Sequence, residues 1–290
     1  MSIDKLQSKI RKMKCPVALD MFMPESHVPS AYFNTCDGFL SAYVCYVTDL
    51  LNTLHTVVPA VRLSFAMLSA YGLEGAKALS DLLHTAKKLG YYVFLDIPEA
   101  LSRQSAKHLA KVFMDENANW VFDALVVSSY IGSDGIAPYV VEMKKNDKDL
   151  FVVTRTSNKS AAEIQDLLSG SRLAHIAMAD IAYRFAPEYV TRCGYSRVAL
   201  VAGASSADSL RSLRTKYKDV FMLLDGSDYP NANAKNCSFA FDRLGHGAIA
   251  CVGYSVTAAW QTEEGENHLD AAVGAVERMK KNVARYITIL

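Results

Sequence analysis

The sequence has no run of roughly 18 apolar residues, so no helix is expected to span a membrane. Its opening stretch, MSIDKLQSKIRKMK, is polar and basic without an apolar core, and is not expected to serve as a secretory signal. Charge of one sign is also missing: 31 Lys+Arg stand against 30 Asp+Glu, for a net charge of +1. Proteins dedicated to nucleic acid or membrane surfaces concentrate excess cations, so neither partner is expected here. Neutrality still leaves room for a local patch around a phosphorylated metabolite. The six cysteines (15, 36, 45, 193, 237 and 251) form no CxxC pair and no Cys/His zinc spacing. Cys15, Cys45 and Cys251 sit in apolar runs and read as small buried residues with reduced thiols, which suits a cytoplasmic protein. The seven histidines (27, 55, 84, 108, 175, 246 and 268) show no HxH or HExxH spacing, so no metal site is expected. The pairs Ser128-Ser129 and Ser205-Ser206 lack an accompanying His/Asp pattern that would make them nucleophiles. No repeat, low-complexity linker or composition break divides the chain, so residues 1–290 are read as one domain.

What the chain does have is apolar material, at 51% of residues, enough for a large core. Short Val, Ile, Leu and Phe-rich runs fall at 17–20, 57–64, 91–97, 124–129, 150–154, 197–202, 220–225 and 249–253. Most are continuous rather than alternating, as in parallel strands covered on both faces. Helical spacing appears at 72–89, 102–112, 205–217 and 268–289. The segment 157–193 is longer than one crossover needs and is read as two helices. The basic stretch Lys144, Lys145 and Lys148 is read as a solvated helix end. Eight strands, each followed by at least one helix, predict an α/β fold consisting of a single (β/α)₈ TIM barrel. A doubly wound sheet would announce a Gly-rich phosphate turn after its first strand, and none is present.

In such barrels function gathers at the C-terminal ends of the strands. Those positions hold Asp20, Arg62, Asp96, Ser129-Tyr130, Arg155-Thr156-Ser157-Asn158, Asp225-Gly226 and Gly253-Tyr254. So many polar residues converging on one rim exceed what stability requires, although charged residues at strand ends also serve as solvated loop starts.

These positions lie in stretches that resemble a known family. ALD at 18–20, AVRLSFAMLSAYGLEG at 60–75, GYYVFLDIPEALSRQSA at 90–106 and SSYIGSD at 128–134 are similar to motifs of the orotidine 5′-phosphate decarboxylases, specifically the longer bacterial subfamily. VVTRTSNKSAAEIQDL at 152–167 is the most specific match, followed by VALVAGAS at 198–205 and VERMKKNVARYI at 276–287. The resemblance implies decarboxylation of orotidine monophosphate without a cofactor, at the interface of a homodimer. In that family an interleaved Lys-Asp-Lys-Asp array destabilises the substrate carboxylate and protonates the carbanion.

Matched to the family pattern, Arg62 takes the place of the first array Lys and Asp96 that of the first array Asp. Pro98 stands where the central Lys is expected, and Leu101 where the final Asp would reach across the dimer. Arginine keeps a positive charge but, with a pKa above 12, is a poor general acid. The family's phosphate-gripping loop appears as DGSDYPNAN at 225–233, with Pro230 in place of the closing Gln and Asp228 adding negative charge. Tyr254, in VGYS at 252–255, stands in the position of the phosphate-binding Arg. The base-binding side is retained: Thr156, Ser157 and Asn158 match the family's pyrimidine-reading turn, and Asp20 the Asp near the ribose hydroxyls. The same three residues also make a self-bonded turn in their own right.

Three readings follow. The chain is a barrel whose catalytic array has decayed and which serves as a binding or partner subunit, as a homodimer or beside an intact paralogue. Alternatively it is an active decarboxylase of pyrimidine biosynthesis with a relocated cation. In the third reading, Arg62, Asp96, Glu99 and Arg103 serve another small-molecule reaction. In each case the expected partner is a small molecule, a pyrimidine nucleotide being one candidate.

Overall fold

The computed structural model describes residues 2–263 and 267–289. Eight parallel strands close into a barrel: β1 (Val17–Asp20), β2 (Ala60–Ser64), β3 (Tyr92–Asp96), β4 (Ala124–Ser128), β5 (Asp149–Arg155), β6 (Ser196–Gly203), β7 (Val220–Asp225) and β8 (Ala248–Val252). Neighbours in sequence pair in order, and β8 closes onto β1 through Val17↔Ala250 and Leu19↔Val252. The longer helices of the outer layer are α2 (Gly38–Leu54), α3 (Gly72–Lys88), α4 (Arg103–Met114), α5 (Ser133–Lys145), α6 (Ala174–Tyr183), α7 (Ala207–Lys216) and α8 (His268–Ala284), while α1 (Ser2–Met13) precedes β1. The barrel expected from the strand count is therefore present, with each strand within a few residues of its expected run.

Burial on both faces explains why the strands read as continuous apolar runs. Alternate residues feed two separate cores. Phe94, Val126, Phe151, Val201, Leu223 and Ile249 point into the barrel. Leu95, Leu125, Val152, Leu200 and Leu224 point outward against the helices. Phe94 and Phe151 meet edge to face with centroids 5.0 Å apart and fill the middle of the barrel. Truncating either to Ala would cost about 3–5 kcal/mol by the usual cavity penalty.

α1 closes the barrel floor. Ile3, Leu6 and Ile10 are fully buried with the interior residues. Gln7 accepts from the Gly247 amide at 3.1 Å, and Asp4 accepts from Thr191 and the Cys193 amide. The opening stretch thus carries an apolar stripe at helical spacing after all, hidden between basic and polar neighbours.

Helix starts follow their capping residues. Ser102 and Ser105 form a capping box on α4, and Ser206 caps α7 by accepting from the Ser209 amide. α8 ends at Ala284 rather than 289, because the tail turns under the barrel and packs Ile289 against the interior cluster.

Three further expectations are corrected. The segment 157–193 holds one α-helix, α6, not two. The rest is a 3₁₀ turn at Lys159–Glu163, a hairpin pairing Leu168–Ser169 with Arg172–Leu173, and a second 3₁₀ turn at Pro187–Tyr189. Cys45 is exposed, because α2 buries Ala42, Tyr43, Tyr46 and Val47 and position 45 falls on the opposite side. Lys144 and Lys145 are exposed as expected, but Lys148 is half-buried. Its ammonium lies over the Phe122 ring, 3.8 Å from the centroid, and burial lowers its pKa to about 8.

No helix among the described residues is long and apolar enough to cross a membrane.

Candidate functional site

Where the strands end, the inward positions change from apolar to charged. β1 and β2 align Asp20 directly with Arg62, and β2 and β3 align Ser64 with Asp96. The Arg62 guanidinium reaches three carboxylates at once: Asp225 at 2.7 Å, Asp96 at 3.0 Å and Asp20 at 3.4 Å. Its side chain is only 14% exposed. Burial alone would lower the Arg62 pKa, but the three carboxylates outweigh it and hold the group more firmly protonated. The Asp20 pKa is raised as well, here by burial. Burial pushes its carboxyl up to about 6, against the opposing pull of Arg62. Arg62 occupies the space between the carboxylates that a cation would otherwise take. Among the described residues, no group of three or more His, Cys, Asp or Glu side chains is placed to hold a metal ion.

Above this cluster lies a cavity of about 470 Å³, edged by Phe22, His27, Asp228, Tyr229 and Tyr254. No lysine lines it among the described residues. At the cavity edge, Asp228 bonds to the loop after β8. One of its oxygens accepts from the Gly253 amide at 2.9 Å, the Ser255 amide at 2.8 Å and the Ser255 hydroxyl at 2.9 Å. A carboxylate of the chain itself therefore fills a donor set of the kind that holds phosphate after the last two strands of such barrels. Gly226 lets the loop after β7 turn there. It has φ +62°, and a Cβ would stand 2.8 Å from side-chain atoms of Ser157 and Tyr229.

His27 hydrogen-bonds Thr257 Oγ1 through Nδ1 at 2.9 Å. The Thr257 hydroxyl donates to the Gly253 carbonyl at 3.1 Å, so His27 Nδ1 is the donor in their bond. Burial lowers the His27 pKa, so the ring is neutral at pH 7 with Nε2 as its acceptor.

The Thr156-Ser157-Asn158 turn is held largely by its own contacts. Ser157 Oγ donates to the Asp225 carbonyl and accepts from the Ala204 amide. Thr156 Oγ1 donates to Asn158 and accepts from Gln165 at 2.9 Å, while Gln165 Oε1 accepts from the Thr156 amide at 2.8 Å. Thr156 borders a second, smaller cavity of about 210 Å³ at the ends of β4 and β5, with Glu99, Ser129 and Gln165. Arg155 anchors the whole loop through a two-point pair with Asp166 at 3.0 and 2.9 Å, itself backed by His175 at 3.2 Å.

The structure thus brings Asp20, Arg62, Asp96, Gly226 and Tyr254 to one cavity, and sets Thr156 at its neighbour. Ser157 is buried beneath the rim, and Asn158 is exposed on the turn. Arg62, Asp96, Glu99 and Arg103 do not converge. Glu99 faces the smaller cavity, and Arg103 lies on α4 in a groove of about 590 Å³ between α4 and α5, in the outer layer. Pro98 is exposed in the loop after β3, and Leu101 is 86% exposed beyond it. Sequence reasoning missed His27, Gln165 and the bonds of Asp228. His27 carries no spacing signal, and Gln165 lies inside the EIQDL run without a motif role of its own.

A closed parallel barrel with an ionic cavity at the C-terminal strand ends defines the TIM-barrel class. Within that class the kinship is specific. The sequence profile of the orotidine 5′-phosphate decarboxylase / HUMPS family matches residues 17–235, and the chain belongs to that family. It is 26% identical over 290 residues to the orotidine 5′-phosphate decarboxylase of Clostridium acetobutylicum, covering 98% of this chain and all of that protein. It is 23% identical over 286 residues to the enzyme of the same name from Clostridium novyi, covering 98% of each. The orotidine 5′-monophosphate decarboxylase of Plasmodium berghei superposes with a TM-score of 0.78 at 14% identity over 98% of both chains.

Proposed function

We propose that this chain is a ligand-binding member of the orotidine 5′-phosphate decarboxylase / HUMPS family that has lost the parent decarboxylation. The observation that carries this reading is the state of Arg62, which is shared among Asp20, Asp96 and Asp225 in a cavity lined by no lysine among the described residues. The decarboxylation implied by the resemblance needs an ammonium that can surrender a proton to a carbanion. A guanidinium held by three carboxylates keeps its proton. The Asp228 carboxylate on the Gly253 and Ser255 donors supports weakened phosphate binding in the same cavity. A pyrimidine nucleoside without its phosphate fits these groups better than the nucleotide. Assembly as a homodimer, or with an intact relative, belongs to the same proposal.

A specific observation also favours repurposing for another small-molecule reaction. Tyr229 and Tyr254 are about half exposed at the cavity edge, and Leu101 points to solvent, so none of the three fills the cavity. The cavity is open, charge-paired and available.

The test is a thermal-shift series with UMP, orotidine monophosphate and uridine, run beside a spectrophotometric decarboxylation assay. Ligand stabilises by RT ln(1 + [L]/Kd), about 2.7 kcal/mol at 100 Kd. The proposal expects no turnover, and a shift with uridine at least equal to that with UMP. Turnover of orotidine monophosphate overturns it. Silence toward all three ligands shifts the weight to a repurposed site.

A further inference from the structure

Cys36 and Cys45 place their sulfur atoms 3.1 Å apart. Cys36 lies in the short link between the helical turn Ser30–Phe33 and α2, and Cys45 lies on α2, so the chain folds back along the start of that helix. Cys45 is exposed and Cys36 half-buried, so small reagents can reach the pair. The other four cysteines differ. Cys15, Cys237 and Cys251 are buried, and Cys193 bonds the Thr191 hydroxyl at 3.2 Å. Among the described residues no other two sulfurs are in hydrogen-bond contact. Disulfide formation needs the sulfurs to approach to about 2.05 Å, a movement of roughly 1 Å.

We propose that Cys36 and Cys45 form a reversible dithiol–disulfide site, closed by a low-molecular-weight disulfide of the glutathione type. The Cys45 thiolate attacks one sulfur of the oxidant, breaking its S–S bond, and the first glutathione leaves as thiolate and takes up a proton. The Cys36 thiolate then attacks the Cys45 sulfur of the mixed disulfide and expels the second glutathione. Two protein thiols are oxidised and one glutathione disulfide is reduced to two thiols. The protons released by the cysteines end on the departing glutathiones.

The bridge has a definite mechanical effect. Residues 21–37 run from the end of β1 to the start of α2 and carry Phe22, Pro24 and His27 on the cavity edge. In the thiol form this strap is held near its middle by His27, bonded to Thr257 at 2.9 Å and accepting from Trp260 Nε1 at its carbonyl, and nearer α2 by Tyr32, whose hydroxyl donates to Asp49 at 2.7 Å and lies 3.0 Å from His268 Nε2. A Cys36–Cys45 bond adds a covalent pin between the strap and α2, and so stiffens one wall of the cavity.

The experiment treats the folded protein with glutathione disulfide and follows intact mass, peptide mapping and limited proteolysis within residues 21–37. The expected result is loss of two hydrogen atoms, a peptide linking Cys36 to Cys45, slower cleavage of the strap, and reversal by dithiothreitol. Cys36→Ser and Cys45→Ser each leave one reactive thiol, which stops at a single glutathione adduct. Cys193→Ser still closes the bridge. A mass that does not change, a linkage to any other cysteine, or a wild-type protein that stops at the mixed disulfide overturns the site. Unchanged cleavage of the bridged protein overturns the pinning of the strap.

Discussion

Arg62 and Asp225 stand 163 positions apart in the chain and meet at 2.7 Å across the mouth of the barrel. That contact exists only because β7 is brought round toward β2 by closure of the sheet, with β8 and β1 between them. It makes the floor of the cavity a product of the whole fold rather than of any one loop. The cluster holds three carboxylates around one guanidinium, so its stability depends on that guanidinium more than on any single carboxylate.

Replacing Arg62 therefore has a large cost. Arg62→Ala leaves Asp20, Asp96 and Asp225 facing one another in a partly dry site, and is expected to destabilise by about 3–5 kcal/mol. Arg62→Lys retains the charge but lacks the planar fork that reaches separate carboxylates, and should fall between Ala and wild type. Urea midpoints at pH 7 for the three proteins check the order.

Asp20 gives the pH dependence. Its folded-state pKa of about 6 lies above the ordinary value of 3.8. Between these values the folded protein binds more protons than the unfolded chain, so this group's contribution is fully present below about pH 4 and is lost as pH rises toward 6. Relative to Asp20→Asn, the wild type should lose about 2–3 kcal/mol across that window, at 1.36 kcal/mol per pKa unit. A parallel pair of stability–pH curves would refute the assignment.

Asp228 is a removable anion. Asp228→Ala strands the Gly253 and Ser255 amides, at a cost of about 1–3 kcal/mol. Inorganic phosphate should then restore part of the lost melting temperature in the variant while leaving the wild type unmoved. Melting curves with and without phosphate, at matched ionic strength, separate specific rescue from a salt effect.

Arg155 is expected to act on loop order. Its side chain is buried and fixes Asp166 at two points. Arg155→Lys keeps one contact at best, and should lower stability by about 1–3 kcal/mol. The diagnostic signal is faster amide exchange confined to residues 156–166, and exchange spread evenly over the barrel would contradict it.

Much of this molecule is legible in its residue pattern, and the limits have physical causes. Strands such as Val220–Asp225 can be located because a parallel strand buried on both faces must be apolar along its length. Asp20, Arg62, Asp96 and Asp225 stand out because each is a charge at or near the end of such a run. Their mutual arrangement does not show in the sequence, since it depends on closure of the sheet. The bonds of Asp228 and His27 lie in loops, where no periodicity constrains the reading. The region 157–193 misleads because length alone suggests room for a second helix, whereas 3₁₀ turns and a small hairpin that leaves Leu168 75% exposed take up that length. Cys45 misleads for a simpler reason: an apolar neighbourhood in sequence does not say which side of a helix a residue occupies. The outward-facing sulfur that results is what places it beside Cys36.

The floor helix α1 has a consequence for how the chain reaches its fold. Ile3, Leu6 and Ile10 share one buried cluster with Tyr195, Phe221, Leu223 and Ile249, all more than 180 positions further along the chain. The apolar face of α1 is therefore covered in full only when segments far apart in the chain have come together. Contacts of such long range slow folding. Docking of α1 is thus tied to the assembly of β7 and β8, and the two ends of the barrel wall share one interior.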